Sequence, residues 1–321
     1  MGALQPSSPT AAAMPGVTEE LALGLDGNGD FDGRRRFYLL LLVPVLAILA
    51  GVTLLPICYL VVTSLTPLSL TNPLSAWNFS HPAGNYILLA TDARLHQSLW
   101  TQAKLSIATV ALQMLIGLGA ALLVHRETRK PDLLRTLFLV PMVLPPIVVA
   151  IIWKVLYSPD ISPFWWLFHT LGLAVPAPTT SAATALTAIV VADTWEWFPF
   201  TMLIILAALK TLPEEMVEAA HVDGASRWQM FLFVTLPHIR HALLVAGLFR
   251  LIDSIKAFPL IYILTEGGPG NVTEVTNYYT FTQAFGFSYI GYSSAITVLL
   301  VLLVIALSVA IVRIVEGRAT A

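Results

Sequence analysis

Ionisable residues inside long apolar stretches are where chemistry would concentrate in this sequence. One such run is Asp193-Thr194-Trp195-Glu196-Trp197, set within the apolar stretch from Ala183 to Leu209. Asp193 and Glu196 are three apart and share a face if the run is helical. Trp195 and Trp197 add aromatic surface beside the acids. Carboxylates accept from hydroxyls and aromatic faces cover apolar C–H surfaces, so the cluster suits a sugar or polyol. The same residues also suit an interfacial tryptophan belt with the acids at headgroup level. A second group is Asp253 and Lys256, also three apart, preceded by Arg250. An internal ion pair between Asp253 and Lys256 that fixes helix packing is one reading. A place on a polar path through the apolar layer is the other.

Other chemistries lack their residues. There is no G-x-x-x-x-G-K-[ST] loop for a nucleotide and no H-E-x-x-H, and the seven histidines do not cluster. No cofactor or metal site is expected in this chain. The run Gly267-Gly268-Pro269-Gly270 has no lysine or helix start after it and reads as a turn. Cys58 is the single cysteine, expected to be a buried, inert thiol. A net charge of -2 offers no bulk attraction to nucleic acid.

The elements that would position these groups are membrane helices. Of the 321 residues, 57% are hydrophobic and 11% charged, against roughly 25% charged in soluble domains. Six apolar runs approach or exceed the ~20 residues that cross a bilayer as helix. They cover about 37–65, 99–124, 136–156, 183–209, 243–264 and 293–315. Pro141, Pro145 and Pro146 predict a third segment that is bent or unwound and packed inside the bundle. Phe164, Trp165, Trp166 and Phe168 predict a short surface helix. Residues 1–33 read as a disordered tail. Basic residues sort the loops: Arg34, Arg35, Arg36, Arg126, Arg129, Lys130, Arg135, Lys210, Arg227, Arg240, Arg313 and Arg318 fall on one side, and Arg94 on the other. The positive-inside bias then places both termini in the cytoplasm. The expected fold class is an all-α polytopic membrane protein with six transmembrane helices. Its parts are a tail (1–33), a first helix with outer loop (34–94), a transmembrane domain (95–315) and a second tail (316–321). A cytoplasmic loop (210–240) lies within the domain.

That loop is patterned. Glu214, Glu215 and Glu218 favour a helix start, Gly224 permits a turn with positive φ, and Ser226 to Phe233 is a second amphipathic run that Pro237 is expected to stop. Asp223 is placed to brace the turn or cap the second run.

Glu218-Ala219-Ala220, then Gly224, then Val234-Thr235-Leu236-Pro237 resembles the EAA signature of ABC importer permeases, with valine in place of the usual isoleucine. Leu144-Pro145-Pro146 and Thr265-Glu266-Gly267-Gly268-Pro269-Gly270 resemble further motifs of the carbohydrate-uptake branch, the maltose, glycerol and glycerol-phosphate permeases. The resemblance implies a type I importer core in a bacterial inner membrane. It implies a coupling role for Glu218, Ala219, Ala220, Asp223, Gly224 and Pro237; the substrate-path candidates remain the intramembrane charges and aromatics read above, Asp193, Trp195, Glu196, Trp197, Asp253 and Lys256. It also implies partners: a second homologous permease chain, an ATPase dimer that holds ATP and magnesium, an extracytoplasmic solute-binding protein and membrane lipid. The cargo implied is a sugar, polyol or related carbohydrate, with glycerol or another small polyol as the narrowest expectation. A secondary carrier or a membrane-embedded enzyme is the alternative, though no internal repeat supports a carrier.

Overall fold

The computed structural model describes residues 28–126, 131–172 and 176–319. The described residues are almost wholly helical and form no β-strand, only an isolated bridge between Ser69 and Asn72. In order, the helices are α1 (Asn28–Ser64), α2 (Gly84–Thr91), α3 (Ala93–Arg126), α4 (Pro131–Val143), α5 (Pro146–Leu156), α6 (Pro163–Thr170), α7 (Ala185–Leu209), α8 (Glu214–Val222), α9 (Arg227–Met230), α10 (Leu236–Ile255), α11 (Pro259–Leu264), α12 (Thr276–Phe281) and α13 (Ile290–Ala319). Five spans are long and apolar enough to cross a membrane, or six when α4 and α5 count as one broken span. Lipid leaves helices no choice but to satisfy their own backbone.

The chain divides into two compact units, 1–59 and 60–321, so the division falls inside α1 and not after residue 94. In the first unit, helix already begins at Asn28, within the expected tail. Cys58 is exposed and not buried. It belongs to an apolar run whose members, Leu54 and Leu55 among them, face outward, as a lipid-facing helix would.

In the second unit α7 is the central helix, most of its span buried. It packs along α3 and α10. Gly117 of α3 makes that approach close: a Cβ there would lie 1.9 Å from Thr201 Oγ1 and 2.9 Å from Thr201 Cβ. Thr201 Oγ1 donates to the Gln113 carbonyl across the same contact (2.7 Å). One apolar cluster joins Leu105, Val149, Ile189 and Ile261 from α3, α5, α7 and α11. Another joins Ala121, Val124, Met202, Ile205 and Ile239 towards the other end of α3, α7 and α10.

Two breaks go beyond the sequence expectation. The third segment is two helices bent by 99°. Proline at 145 and 146 forbids a continuous ladder, and Val148 and Val149 N–H turn to the Pro145 carbonyl (2.8 and 3.1 Å). The segment is not enclosed as expected: Val143 (80%), Ile147 and Ile151 are exposed, while Pro141, Val149 and Ala150 are buried. The fifth segment is also interrupted. α10 ends at Ile255, and α11 starts afresh at Pro259. The short helix predicted from Phe164, Trp165, Trp166 and Phe168 is present as α6.

Candidate functional site

Two places hold the residues singled out from the sequence. The first is the helical hairpin of α8 and α9. Gly224 has φ +73 and closes α8, with Ala225 N–H donating to the Ala220 carbonyl (2.9 Å). This is the left-handed helix end that glycine adopts without penalty. Asp223 is the C-cap of α8. The second helix is capped by Ser226, not Asp223: Ser226 Oγ accepts from Gln229 N–H, and Gln229 Oε1 accepts from Ser226 N–H (2.8 Å). Four residues, Asp223 to Ser226, join the two helices, and Asp223 lies three positions before the N-cap that Ser226 occupies.

The expectation for Pro237 is also corrected. Pro237 does not stop the second run. α9 passes through a π-helical turn, Phe231–Thr235, into α10, and Pro237 lies in the first turn of α10. A proline ring clashes with the carbonyl four residues back in a regular helix. The wider i→i+5 register, seen in Leu236 N–H to Phe231 O, relieves that conflict without ending the helix. Residues Arg227–Ile255 therefore form one span of 29 residues.

α8 has two faces. Val217 and His221, four apart, turn towards Leu122, Leu209 and Leu212. Opposite them, Met216 (47%), Ala219 and Val222 (87%) are exposed, as is Glu218 on the flank. Ala220 is half-buried. An exposed apolar stripe with small residues on a short helix is suited to contact with another protein surface.

The second place is a cleft of about 120 Å³ lined by Pro146, Asp193, Glu196, Trp197, Asp253 and Lys256, closed on one side by Phe258 and Pro259. The two helix breaks form it. Pro146 begins α5, and Lys256 to Phe258 are the gap between α10 and α11. Broken helices are tolerated at membrane depth where they line such a space.

The charges of this cleft are wired through two residues that the sequence reading did not place at its centre. Arg250 is 2% exposed. Its Nη1 donates to Asp253 Oδ2 (2.6 Å), its Nε donates to Gln113 Oε1 (2.8 Å), and its Nη2 lies 3.8 Å from Asp193 Oδ2. Gln113 Nε2 in turn donates to Asp193 Oδ2 (2.8 Å). The guanidinium also sits 4.5 Å from the Trp197 ring centre. The ion pair read between Asp253 and Lys256 is thus replaced by Arg250 and Asp253. Arg250 is inside, with its planar fork held by two partners, whereas Lys256 is exposed at the end of α10.

The structure brings Asp193, Glu196, Trp197, Asp253 and Lys256 together, and it separates Trp195 from them. Trp195 packs on the apolar cluster around Ile189, its ring edge-on to Trp153 (5.9 Å). Glu196 is 1% exposed, and its Oε1 has no hydrogen-bond partner. A buried acceptor without a donor is costly, so it marks a point in the cleft where a hydroxyl or amine would be stabilised. Gln113 was not singled out and could have been found as an amide in the middle of the second apolar run; Arg250 was noted in the fifth run, but not its pairing with Asp253. Both are expensive in lipid.

At the opposite end from α8, Arg94 forms a two-pronged bridge to Glu274 (2.7 and 2.8 Å) that ties the start of α3 to the loop before α12. Asp92 accepts from Tyr279 (2.5 Å), from Tyr292, and from the Leu95 and Arg94 N–H groups. Burial pushes its carboxyl up, and these hydrogen bonds outweigh that, so it lies below its ordinary value. Burial and the Asp92 bond hold the Tyr279 hydroxyl well above the usual range. The Gly267 to Gly270 run is a turn, with Thr273 Oγ1 donating to the Gly268 carbonyl (2.8 Å). Arg129 and Lys130 lie outside the described residues.

Residues 113–321 match the family described as binding-protein-dependent transport system inner membrane component. The chain is 32% identical over 275 residues to a trehalose transport system permease protein, SugA, of Mycobacterium tuberculosis (85% of this chain, 86% of that protein). It is 31% identical over 230 residues to a trehalose/maltose transport system permease protein, MalF, of Thermococcus litoralis (72% and 78%). Its fold is similar to a chain in the crystal structure of a bacterial ABC transporter involved in the import of the acidic polysaccharide alginate, with TM-score 0.75 and 18% identity over 89% of this chain and 98% of that one.

Proposed function

The chain belongs to the family of binding-protein-dependent transport system inner membrane components, and from that premise we propose that it is the permease subunit of an ATP-driven importer for a neutral saccharide or polyol. Membership of that family sets aside the carrier and membrane-enzyme alternatives. The observation that carries the reading is the single span from Arg227 to Ile255. Its first turn belongs to the α8–α9 hairpin, and its last turns bear Arg250 and Asp253 at the cleft. At ~1.5 Å per residue this rod is about 40 Å long, so a push on the hairpin is delivered to the cleft without a hinge of loop residues between them.

In this reading the exposed stripe of Met216, Ala219 and Val222, with Glu218 beside it, docks on a separate ATPase dimer that holds ATP and magnesium. A second permease chain completes the path, and its surface would cover the exposed side of α4 and α5. An extracytoplasmic solute-binding protein delivers the cargo, both termini lie in the cytoplasm, and the membrane is a bacterial inner membrane. The cargo is proposed as a saccharide because relatives of this chain are named for trehalose and maltose. Asp193, Glu196 and Asp253 offer acceptors to hydroxyls, and Trp197 lines the same cleft with aromatic surface suited to the apolar C–H side of a sugar.

The test is uptake into vesicles that hold the reconstituted complex. Labelled trehalose, maltose and glycerol are compared, with Glu196→Gln, Trp197→Leu and Asp253→Asn variants. Loss of uptake with the ATPase still bound is expected for these variants. Parent-level uptake by all three removes the cleft from the substrate path, and absence of any ATP-dependent uptake of carbohydrate by the parent removes the cargo class.

A further inference from the structure

The ends of α3 and α7 meet the inner face of the hairpin around a pocket of about 400 Å³. Leu122, Leu209, Val217, Met230 and Phe231 form apolar walls, and four basic side chains rim it: His125, Arg126, His221 and Arg227. A second groove, about 370 Å³, continues from it over Leu122, Arg126, Arg227, Trp228 and Phe231. Among the described residues no acidic side chain lines either one, and no carboxylate lies within ion-pair distance of Arg126 or Arg227. Helix electrostatics accounts for Arg126, which lies in the last turn of α3. It does not account for Arg227, the first residue of α9, where the helix dipole disfavours a cation.

The pocket also lies at the edge of the apolar layer. Leu123 beside it is exposed on α3, and Trp228 is exposed at the rim and stacked on Phe231 (5.6 Å). Aromatic rings favour the headgroup level. A ligand fitting both halves of this space carries a negative charge at one end and a hydrocarbon chain at the other.

We propose that this pocket binds an anionic phospholipid. Its phosphodiester lies between the Arg126 and Arg227 guanidiniums, whose paired N–H groups match phosphate oxygens. An acyl chain runs over Leu122, Phe231 and Trp228 into the bilayer. The lipid occupies the Val217 and His221 face of α8, opposite the Met216, Ala219 and Val222 stripe, so lipid and ATPase bind together. The lipid then wedges the hairpin against α3 and α7 and stiffens the coupling path. This last step rests on the proposed coupling role, whereas lipid binding does not.

The assembled complex is placed in nanodiscs of phosphatidylcholine alone or of phosphatidylcholine with phosphatidylglycerol. Retained lipid is counted by native mass spectrometry after detergent extraction, and ATPase activity is measured in the discs. The parent is expected to retain phosphatidylglycerol selectively and to be activated by it. Arg126→Gln with Arg227→Gln is expected to lower that retention roughly tenfold and abolish the activation. Arg240→Gln, on the same flank of the sequence but outside the pocket, should match the parent. Arg227→Lys, which keeps charge and loses the fork, guards against a folding defect and should fall between. Equal retention by the double variant, equal retention of phosphatidylcholine, or full displacement by inorganic phosphate overturns the lipid assignment. Selective retention without activation keeps the lipid site and overturns only its link to coupling.

Discussion

Replacing Gly224 tests the coupling hairpin most directly. Gly224 has φ +73, and a Cβ built there meets nothing within 4 Å. Any penalty is therefore backbone strain and not collision. An L-residue in this left-handed region costs about 1–2 kcal/mol, and a branched Cβ makes the conformation a true outlier. If the chain escapes by leaving that region, it gives up the Ala225 N–H to Ala220 carbonyl bond (2.9 Å), a further ~1 kcal/mol. Gly224→Val should thus disfavour the native turn by about 2 kcal/mol, close to thirtyfold in population at ~1.4 kcal/mol per tenfold. Membrane insertion should be unchanged, since the residue lies outside the apolar spans. The assay is the reconstituted complex, read for uptake, ATPase binding and substrate-stimulated hydrolysis. Asparagine tolerates the left-handed region, so the expected order of coupled uptake is Gly, Asn, Ala, Val from best to worst. Parent-like coupling with valine, or asparagine as damaging as valine, would refute the argument that the turn's handedness sets the docking surface.

Gly117→Ala should separate α3 from α7, because the new methyl would lie 2.9 Å from Thr201 Cβ even after the hydroxyl turns away; a loss of about 1–3 kcal/mol should appear as a lower midpoint in detergent melting, with only partial recovery in Thr201→Ala. Arg250→Met should strand buried Asp193 and cost about 3–5 kcal/mol, and adding Asp193→Asn should return part of the lost stability in the same melt. With Cys58→Ser as background, a cysteine at Gly270 should react with an impermeant thiol reagent applied to intact cells and one at Val222 should not; the reverse pattern inverts the topology. The Asp92 carboxyl is held below its ordinary 3.8, so its contribution is complete above that value and is lost as pH falls through the lower folded value; acid titration of thermal stability should show a steeper loss in the parent than in Asp92→Asn.

The helices, their order and the hairpin were legible in the sequence because their signals are local. Apolar run length, basic bias in the loops and a glycine at a fixed interval from Glu218 each act over a few residues or add along one segment. Proline positions announced the broken third segment, though not its 99° bend or its exposed side. Those depend on what α5 packs against. Pro237 looked like a stop because a regular helix cannot hold it. The π turn at Phe231–Thr235 could, and a register shift of one carbonyl leaves no compositional mark. The charge wiring of the cleft was decided by tertiary structure alone. Spacing of three made Asp253 and Lys256 natural partners, yet Arg250 is equally three from Asp253 on the other side, and local geometry cannot choose between them. The choice was made by Gln113, 137 residues from Arg250 and 80 from Asp193, whose amide receives one neighbour and donates to the other. The same folding turned Trp195 into the apolar cluster while Trp197, two residues on, faced the guanidinium. Which side of a buried helix meets a cleft depends on where the other helices stand, and a sequence carries that only through contacts between residues far apart in the chain.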